Sequence, residues 1–221
     1  MKRSTDRARQ LAAASLVLLL AACGSVQQRP PSAEPSPTTG EAQTEPDKGN
    51  PQQRFDAALQ MLRDGQVGEA EEAFRTVAQD FPEHAGPWTN LGILFARSNR
   101  RPQAIGALAR AAQLKPDNKI ALNWLGILYR ESGDFERARA SYERALAIDS
   151  GYAFAHYNLG LLLDAHLRRP TDALPHYREY LRLTGGDDLR VMAWVAQIEA
   201  ENPPAEAPAS AAPPDGSEVQ P

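Results

Sequence analysis

Cysteine is almost absent from this 221-residue chain: Cys23 is the only one. No intramolecular disulfide can form, and no second thiol is left for catalysis or metal ligation. Histidine is scarce and scattered, at His84, His156, His166 and His176, with no pair at metal-ligand spacing. A glycine-rich phosphate loop and a nucleophile in a recognisable setting are missing as well, so no catalytic residue, metal or cofactor is assigned and a non-enzymatic role is expected. Basic residues do not predominate: 24 Lys and Arg stand against 28 Asp and Glu, a formal charge of −4. An acidic chain argues against nucleic acid as a partner and against a basic patch that would hold it on anionic lipid. Long hydrophobic runs are lacking too, since the apolar stretch from Leu11 to Ala22 is too short to cross a bilayer comfortably.

That short stretch has a different use. Lys2, Arg3, Arg7 and Arg9 precede it and small residues follow it, which is the layout of a cleaved export signal over residues 1–22. Leu20-Ala21-Ala22-Cys23 resembles the lipobox of bacterial lipoproteins. The resemblance implies that the Cys23 thiol is lipidated, that the chain is cut before it, and that the new amine is acylated. An ordinary secretion signal with an incidental cysteine is the alternative. Several acyl chains on one residue would hold the mature protein on a membrane, where a single chain is marginal. Gly24 stands where lipoproteins retained at the inner membrane carry aspartate, so the resemblance implies the outer membrane and a periplasm-facing domain. Residues 23–50 contain Pro30, Pro31, Pro35, Pro37 and Pro46 among small and polar residues, the composition of a disordered tether with a coil span of about 30 Å. Residues 202–221 read as a disordered Pro/Ala tail on the same grounds.

Between these segments the sequence repeats. Asn90-Leu91-Gly92, Trp124-Leu125-Gly126 and Asn158-Leu159-Gly160 recur every 34 residues. Ala70, Ala104 and Ala138 keep the same step, as do Phe74, Leu108 and Tyr142, and Pro82 and Pro116. Glycine inside a helix costs about 1 kcal/mol relative to alanine. Three in register therefore require a compensating contact, expected to be close approach of two helices, with the glycine of one facing an alanine of the next. Asn99 and Gly133 suit left-handed helix ends, Pro170 suits a first helical position, and Pro82 and Pro116 suit helix stops. Ala173 arrives one residue late, which predicts an insertion in the turn near Arg168 to Pro170.

Trp88, Leu91, Gly92, Phe95, Ala104, Leu108, Ala111 and Pro116 resemble the tetratricopeptide repeat at every marked position. The third repeat departs from it at Leu122 and Ser150, and the first keeps only Ala70, Phe74 and Pro82. The resemblance implies an all-α fold: an α-solenoid of about four helical hairpins over residues 51–84, 85–118, 119–152 and 153–186. A capping helix over 187–201, with Leu189, Met192, Ala193, Val195, Ala196 and Ile198 as its apolar stripe, completes a repeat domain spanning 51–201. A polar outer side on that helix would keep the last hairpin soluble.

Function in such a family lies on the concave face, lined by fixed positions of each first helix. Carried over, those positions give Phe55, Leu59 and Leu62 in the first repeat, and Thr89, Ile93 and Ala96, with neighbouring Asn90 and Arg97, in the second. They give Ile120, Asn123, Ile127 and Arg130 in the third, and Phe154, Tyr157, Leu161 and Asp164, with neighbouring Asn158, in the fourth. Asparagines can pair with peptide amides and arginines with a carboxylate, which describes a groove for a protein or peptide partner. Repeats that clamp a C-terminal carboxylate use groove lysines, and this chain has none at those positions. Arg100, Arg101, Arg168 and Arg169 read as solvated turn residues, and Trp88, Trp124 and Trp194 as packing. His166 and His176 could meet across the fourth hairpin near Asp164 and Asp172, but read more simply as surface histidines. The layout resembles small repeat lipoproteins that help assemble pilus secretins, outer-membrane barrels or cell-wall enzyme complexes. An accessory regulator of peptidoglycan hydrolases is the alternative, and oligomeric state stays open.

Overall fold

A computed structural model describes residues 48–203; Cys23, the leader, the tether and the C-terminal tail lie outside the described residues. Within them the chain is all helix and turn. Four antiparallel hairpins follow one another: α1 (Pro51–Arg63) with α2 (Val67–Asp80), α3 (Ala85–Arg97) with α4 (Arg101–Leu114), α5 (Lys119–Glu131) with α6 (Phe135–Ile148), and α7 (Ala153–Leu161) with α8 (Pro170–Thr184). A ninth helix, α9 (Leu189–Glu201), closes the array.

Helix starts are set by side chains that cap free amides. Asn50, Asn118, Asp134 and Asp188 accept from backbone N–H groups of the first turns of α1, α5, α6 and α9. Proline supplies the first or second residue of α1, α4 and α8, where its missing N–H costs nothing. The second helices α2 and α4 end two residues short of Pro82 and Pro116.

First helices stack on first helices, and each packs against the second helix of its own hairpin. The core between the two layers is organised by one large residue per second helix: Phe74, Leu108, Tyr142 and Tyr177, all fully buried. These residues, not alanines, are what the helical glycines face. A Cβ on Gly92 would lie 2.4 Å from the Leu108 side chain, one on Gly126 2.4 Å from the Tyr142 ring, and one on Gly160 2.7 Å from the Tyr177 ring. The compensation for mid-helix glycine is thus a large ring or isobutyl group laid flat on the backbone of the opposing helix. The alanines at 70, 104, 138 and 173 are also buried, at the neighbouring crossing.

The extra residue of the fourth repeat is not in the turn. The left-handed residue that ends each first helix stands at Gly65, Asn99, Gly133 and Arg168, steps of 34, 34 and 35. The insertion therefore precedes Arg168, where residues Leu162–His166 form a π-helical segment. A π turn admits one residue more than an α turn, so the surplus is absorbed inside the helix and the Gly160–Tyr177 contact survives. Arg168 itself adopts φ of 57°, a conformation that costs a non-glycine residue about 1 kcal/mol or more.

Charged turn residues also tie the repeats together. Arg100, expected to be merely solvated, forms an ion pair with Glu71 of the preceding hairpin and stacks over Phe95. Its guanidinium holds the Glu71 carboxyl below the usual carboxylate range. Arg101 reaches Glu131 of the next hairpin at 3.3 Å, and Lys119 pairs with Asp149 across the open end of the third hairpin.

Candidate partner-binding face

The first helices α1, α3, α5 and α7 carry the residues assigned to the groove, and the structure divides them into two groups. Asn123 and Asn158 are 4% and 8% exposed, and the Asn158 amide donates to the Asn123 carbonyl at 3.1 Å. They join α5 to α7 and have little left to offer an extended peptide. Asn90 donates to the Gly86 carbonyl of its own helix. Tyr157 lies between the Tyr180 and Trp194 rings, at 5.2 and 6.4 Å between centroids. Phe55 packs on Phe74 at 5.6 Å and sits against Gly86 at the α1–α3 junction. Periodicity places all five on the inner face; what it does not encode is that a polar or aromatic side chain there can be consumed by the next repeat.

The second group is available. Arg97 is exposed in the last turn of α3, Ile127, Arg130 and Leu161 are half-buried, and Ile120 and Phe154 are 42% and 63% exposed. Ile120 and Phe154 hold the same place on successive first helices, 34 residues apart, and Tyr152 meets Phe154 edge-on at 6.0 Å. An isoleucine and a phenylalanine left in water at equivalent places on successive helices form an apolar step on the inner face. Arg130 stands ten residues further along α5, about 15 Å from Ile120. Its Nε is buried without a hydrogen-bond partner, and so is the Tyr142 hydroxyl beside it. Burial pushes the Tyr142 hydroxyl up to about 12, with Arg130 offsetting part of the shift, although no hydrogen bond of normal geometry joins them. Burial, and then the Arg130 charge, hold His166 below the ordinary histidine value. The His166 ring lies tilted against Phe135, with centroids 5.0 Å apart and planes at 37°.

The histidine that meets His176 is His156, not His166. Their Nδ1 atoms are 3.0 Å apart across α7 and α8, and His156 Nε2 lies 3.0 Å from the Ser150 carbonyl. A carbonyl only accepts, so Nε2 of His156 carries hydrogen, and in the neutral pair His176 Nδ1–H donates to His156 Nδ1. The ring centroids are 5.3 Å apart, close to the nitrogen separation plus two ring radii. The two nitrogens therefore face each other along a line. That geometry suits one shared proton and not a metal, whose ligands must converge at an angle. Burial, and then the proximity of His156, lower the His176 pKa. Among the described residues no group of three metal-ligating side chains comes together.

The π segment, the start of α8 and one flank of α9 enclose a cleft of about 410 Å³ lined by Asp164, Arg168, Trp194, Gln197 and Glu201. Nothing in the periodicity announces it.

The tetratricopeptide repeat family model matches residues 55–119, 89–153 and 125–188, in overlapping pairs of hairpins. Among curated proteins, the chain is 39% identical over 83 residues to the peroxisomal targeting signal receptor of Yarrowia lipolytica and 26% identical over 91 residues to anaphase-promoting complex subunit 3 of Schizosaccharomyces pombe. These matches cover 38% and 41% of this chain but only 14% of each relative. Among solved structures, pilF of Pseudomonas aeruginosa superposes with a TM-score of 0.60 at 21% identity, covering 68% of both chains. MamA of Desulfovibrio magneticus RS-1 gives 0.59 at 18% identity, covering 70% of this chain and 85% of its own. A thermophilic repeat protein of Thermus thermophilus gives 0.56 at 22%, covering 70% and 84%. At these identities the structural likeness concerns the fold.

Proposed function

Because the chain belongs to the tetratricopeptide repeat family, a protein-interaction scaffold fold, we propose that it is a membrane-anchored adaptor that holds one segment of a cell-envelope protein on the inner face of α5 and α7. The observation that carries this reading is the exposed pair Ile120 and Phe154 at the starts of α5 and α7, with Arg130 about 15 Å further along α5. An amphipathic segment would lay two apolar side chains on that step and bring an acidic group to Arg130. Burying an aromatic and a branched aliphatic side chain is worth roughly 1.5–3 kcal/mol each before the cost of association. The buried Asn123–Asn158 pair fixes the two helices that carry the step and so acts as support for it.

The address follows from the sequence. The basic opening, the apolar stretch and Leu20-Ala21-Ala22-Cys23 support export and lipidation at Cys23, and Gly24 supports the outer membrane, with the repeat domain facing the periplasm. The partner is then a component of an envelope assembly, a pilus secretin or another outer-membrane complex. Cys23→Ser should yield an unprocessed or soluble chain without acyl label; a membrane-bound, palmitate-labelled Cys23→Ser protein would overturn the anchor. In-cell photocrosslinking from Phe154, with a second probe at Glu143 on α6, tests the binding face. An adduct with an envelope protein from Phe154 alone supports the reading, and equal adducts from both positions refute it.

A further inference from the structure

α9 follows the burial pattern of a first helix. Val191 and Ile198 are buried 36 residues after the buried Ala155 and Leu162. In that register Ala196 takes the place of Gly160, Gly126 and Gly92, each of which is covered by a large side chain from the helix that follows it. No helix follows α9 among the described residues. Ala193, Ala196 and Ala200 are exposed there, in line with Leu189 and Met192, which are 77% and 44% exposed. The side of α9 turned away from the array is therefore apolar, where a capping helix is expected to be polar. Arg190, Gln197 and Glu201 are confined to one flank of this stripe by helical spacing, and Glu199, on the other, is paired with Arg178 of α8.

We propose that this face joins two copies of the chain through an antiparallel, two-fold pair of α9 helices. The face is self-complementary. Its large residues, Leu189 and Met192, lie in the first turn of the helix, and its small ones, Ala193, Ala196 and Ala200, run from there to its end. A two-fold axis near the helix centre sets Leu189 of each copy over Ala200 of the other, which is how an isologous contact must be built. The charges agree with that register. Arg190 and Glu201 stand at opposite ends of the same flank, so the axis brings each Arg190 to the other copy's Glu201, and antiparallel helix dipoles add to the match. Head-to-tail continuation of the array is disfavoured, because the outer side of α1 presents Gln52, Gln53, Asp56 and Gln60, which would bury polar groups against Leu189 and Met192. One helix pair covers less than a standard interface of roughly 1,600 Å², so the dimer is concentration-dependent and not obligate.

The test uses the full chain, produced in bacterial cells with two different tags and a photocrosslinking residue at Gln197, on the rim of the face. The expected product joins the two tagged copies, with the adduct mapping to α9. Arg190→Glu or Glu201→Arg alone should lower its yield several-fold, and the double swap should restore it. Glu201 is exposed, so Glu201→Arg should leave the far-UV circular dichroism melt unchanged; Arg190 also lies over Trp194 at 5.6 Å, so Arg190→Glu and the double swap should share one small drop, while the double swap alone restores the yield. No copy-to-copy product, a product with a different protein only, or a double swap that fails to restore the yield would overturn the proposal.

Discussion

The contact between Gly126 and Tyr142 makes a prediction that can be worked from distances. An added Cβ would lie 2.4, 2.6 and 2.8 Å from three atoms of the Tyr142 ring, well inside van der Waals contact. The ring is fully buried and cannot swing away. The first hairpin shows the available relief: Ala58 occupies the equivalent place opposite Phe74, so a hairpin can widen by enough to admit one methyl group. Gly126→Ala therefore gains about 1 kcal/mol of helix propensity and loses about 1–3 kcal/mol to overpacking, a net loss of about 1 kcal/mol. Gly126→Leu has no such relief and should lose several kcal/mol. A control lies one hairpin earlier. Gly106 is exposed in the middle of α4, and a Cβ there meets nothing within 4 Å, so Gly106→Ala should gain about 0.5–1 kcal/mol. At about 2–4 °C per kcal/mol for a domain of this size, thermal melts should rise by about 2 °C for Gly106→Ala and fall by about 10 °C for Gly126→Leu. Urea titrations provide the free energies. A Gly126→Leu variant that melts with the parent chain would refute the contact as the reason for the repeated glycine.

Further outcomes follow from the same geometry. The His176 pKa is depressed in the folded chain, so the unfolded chain binds more protons between that value and about 6.5; stability is complete above pH 6.5 and falls on acidification. Urea midpoints should drop between pH 7.5 and pH 5.5, and His176→Phe should flatten part of that slope. Arg100→Met should cost about 1 kcal/mol by removing the Glu71 pair, and the loss should shrink in 1 M salt; a salt-independent loss would point to the Phe95 stacking instead. With the crosslinking probe moved to Ile127, Phe154→Ala should lower recovery of the crosslinked partner several-fold while leaving the melting temperature within about 1 °C, since a side chain 63% exposed contributes little to the fold.

The repeat is legible because each of its marks has a separate physical cause. Gly92, Gly126 and Gly160 record close approach, Asn99 and Gly133 the left-handed ends, and Pro82 and Pro116 the stops. The glycine's partner reads as alanine from sequence because a 34-residue step aligns positions within a repeat without saying which position of the next helix lies opposite. Placing the insertion in the turn follows from counting between Gly160 and Ala173, and sequence alone cannot distinguish an extra loop residue from a π turn. Groove positions are legible as positions and not as free side chains. Asn123 and Asn158 are close enough to satisfy each other, and Tyr157 is covered by Trp194, a residue of α9 that stands outside the repeat count. The His156–His176 pair leaves no signature, since 20 residues is neither a helical nor a repeat spacing.

The π segment also bears on how such an array tolerates change. One surplus residue is accommodated within Leu162–His166, and by Pro170 the second helix again lays its tyrosine on its glycine. A single insertion has thus been confined to one turn and not passed down the chain as a frameshift of every later contact. Deleting Ala165 should restore the 34-residue step between Gly133 and the left-handed residue that ends the fourth hairpin's first helix, while leaving everything after Pro170 in place.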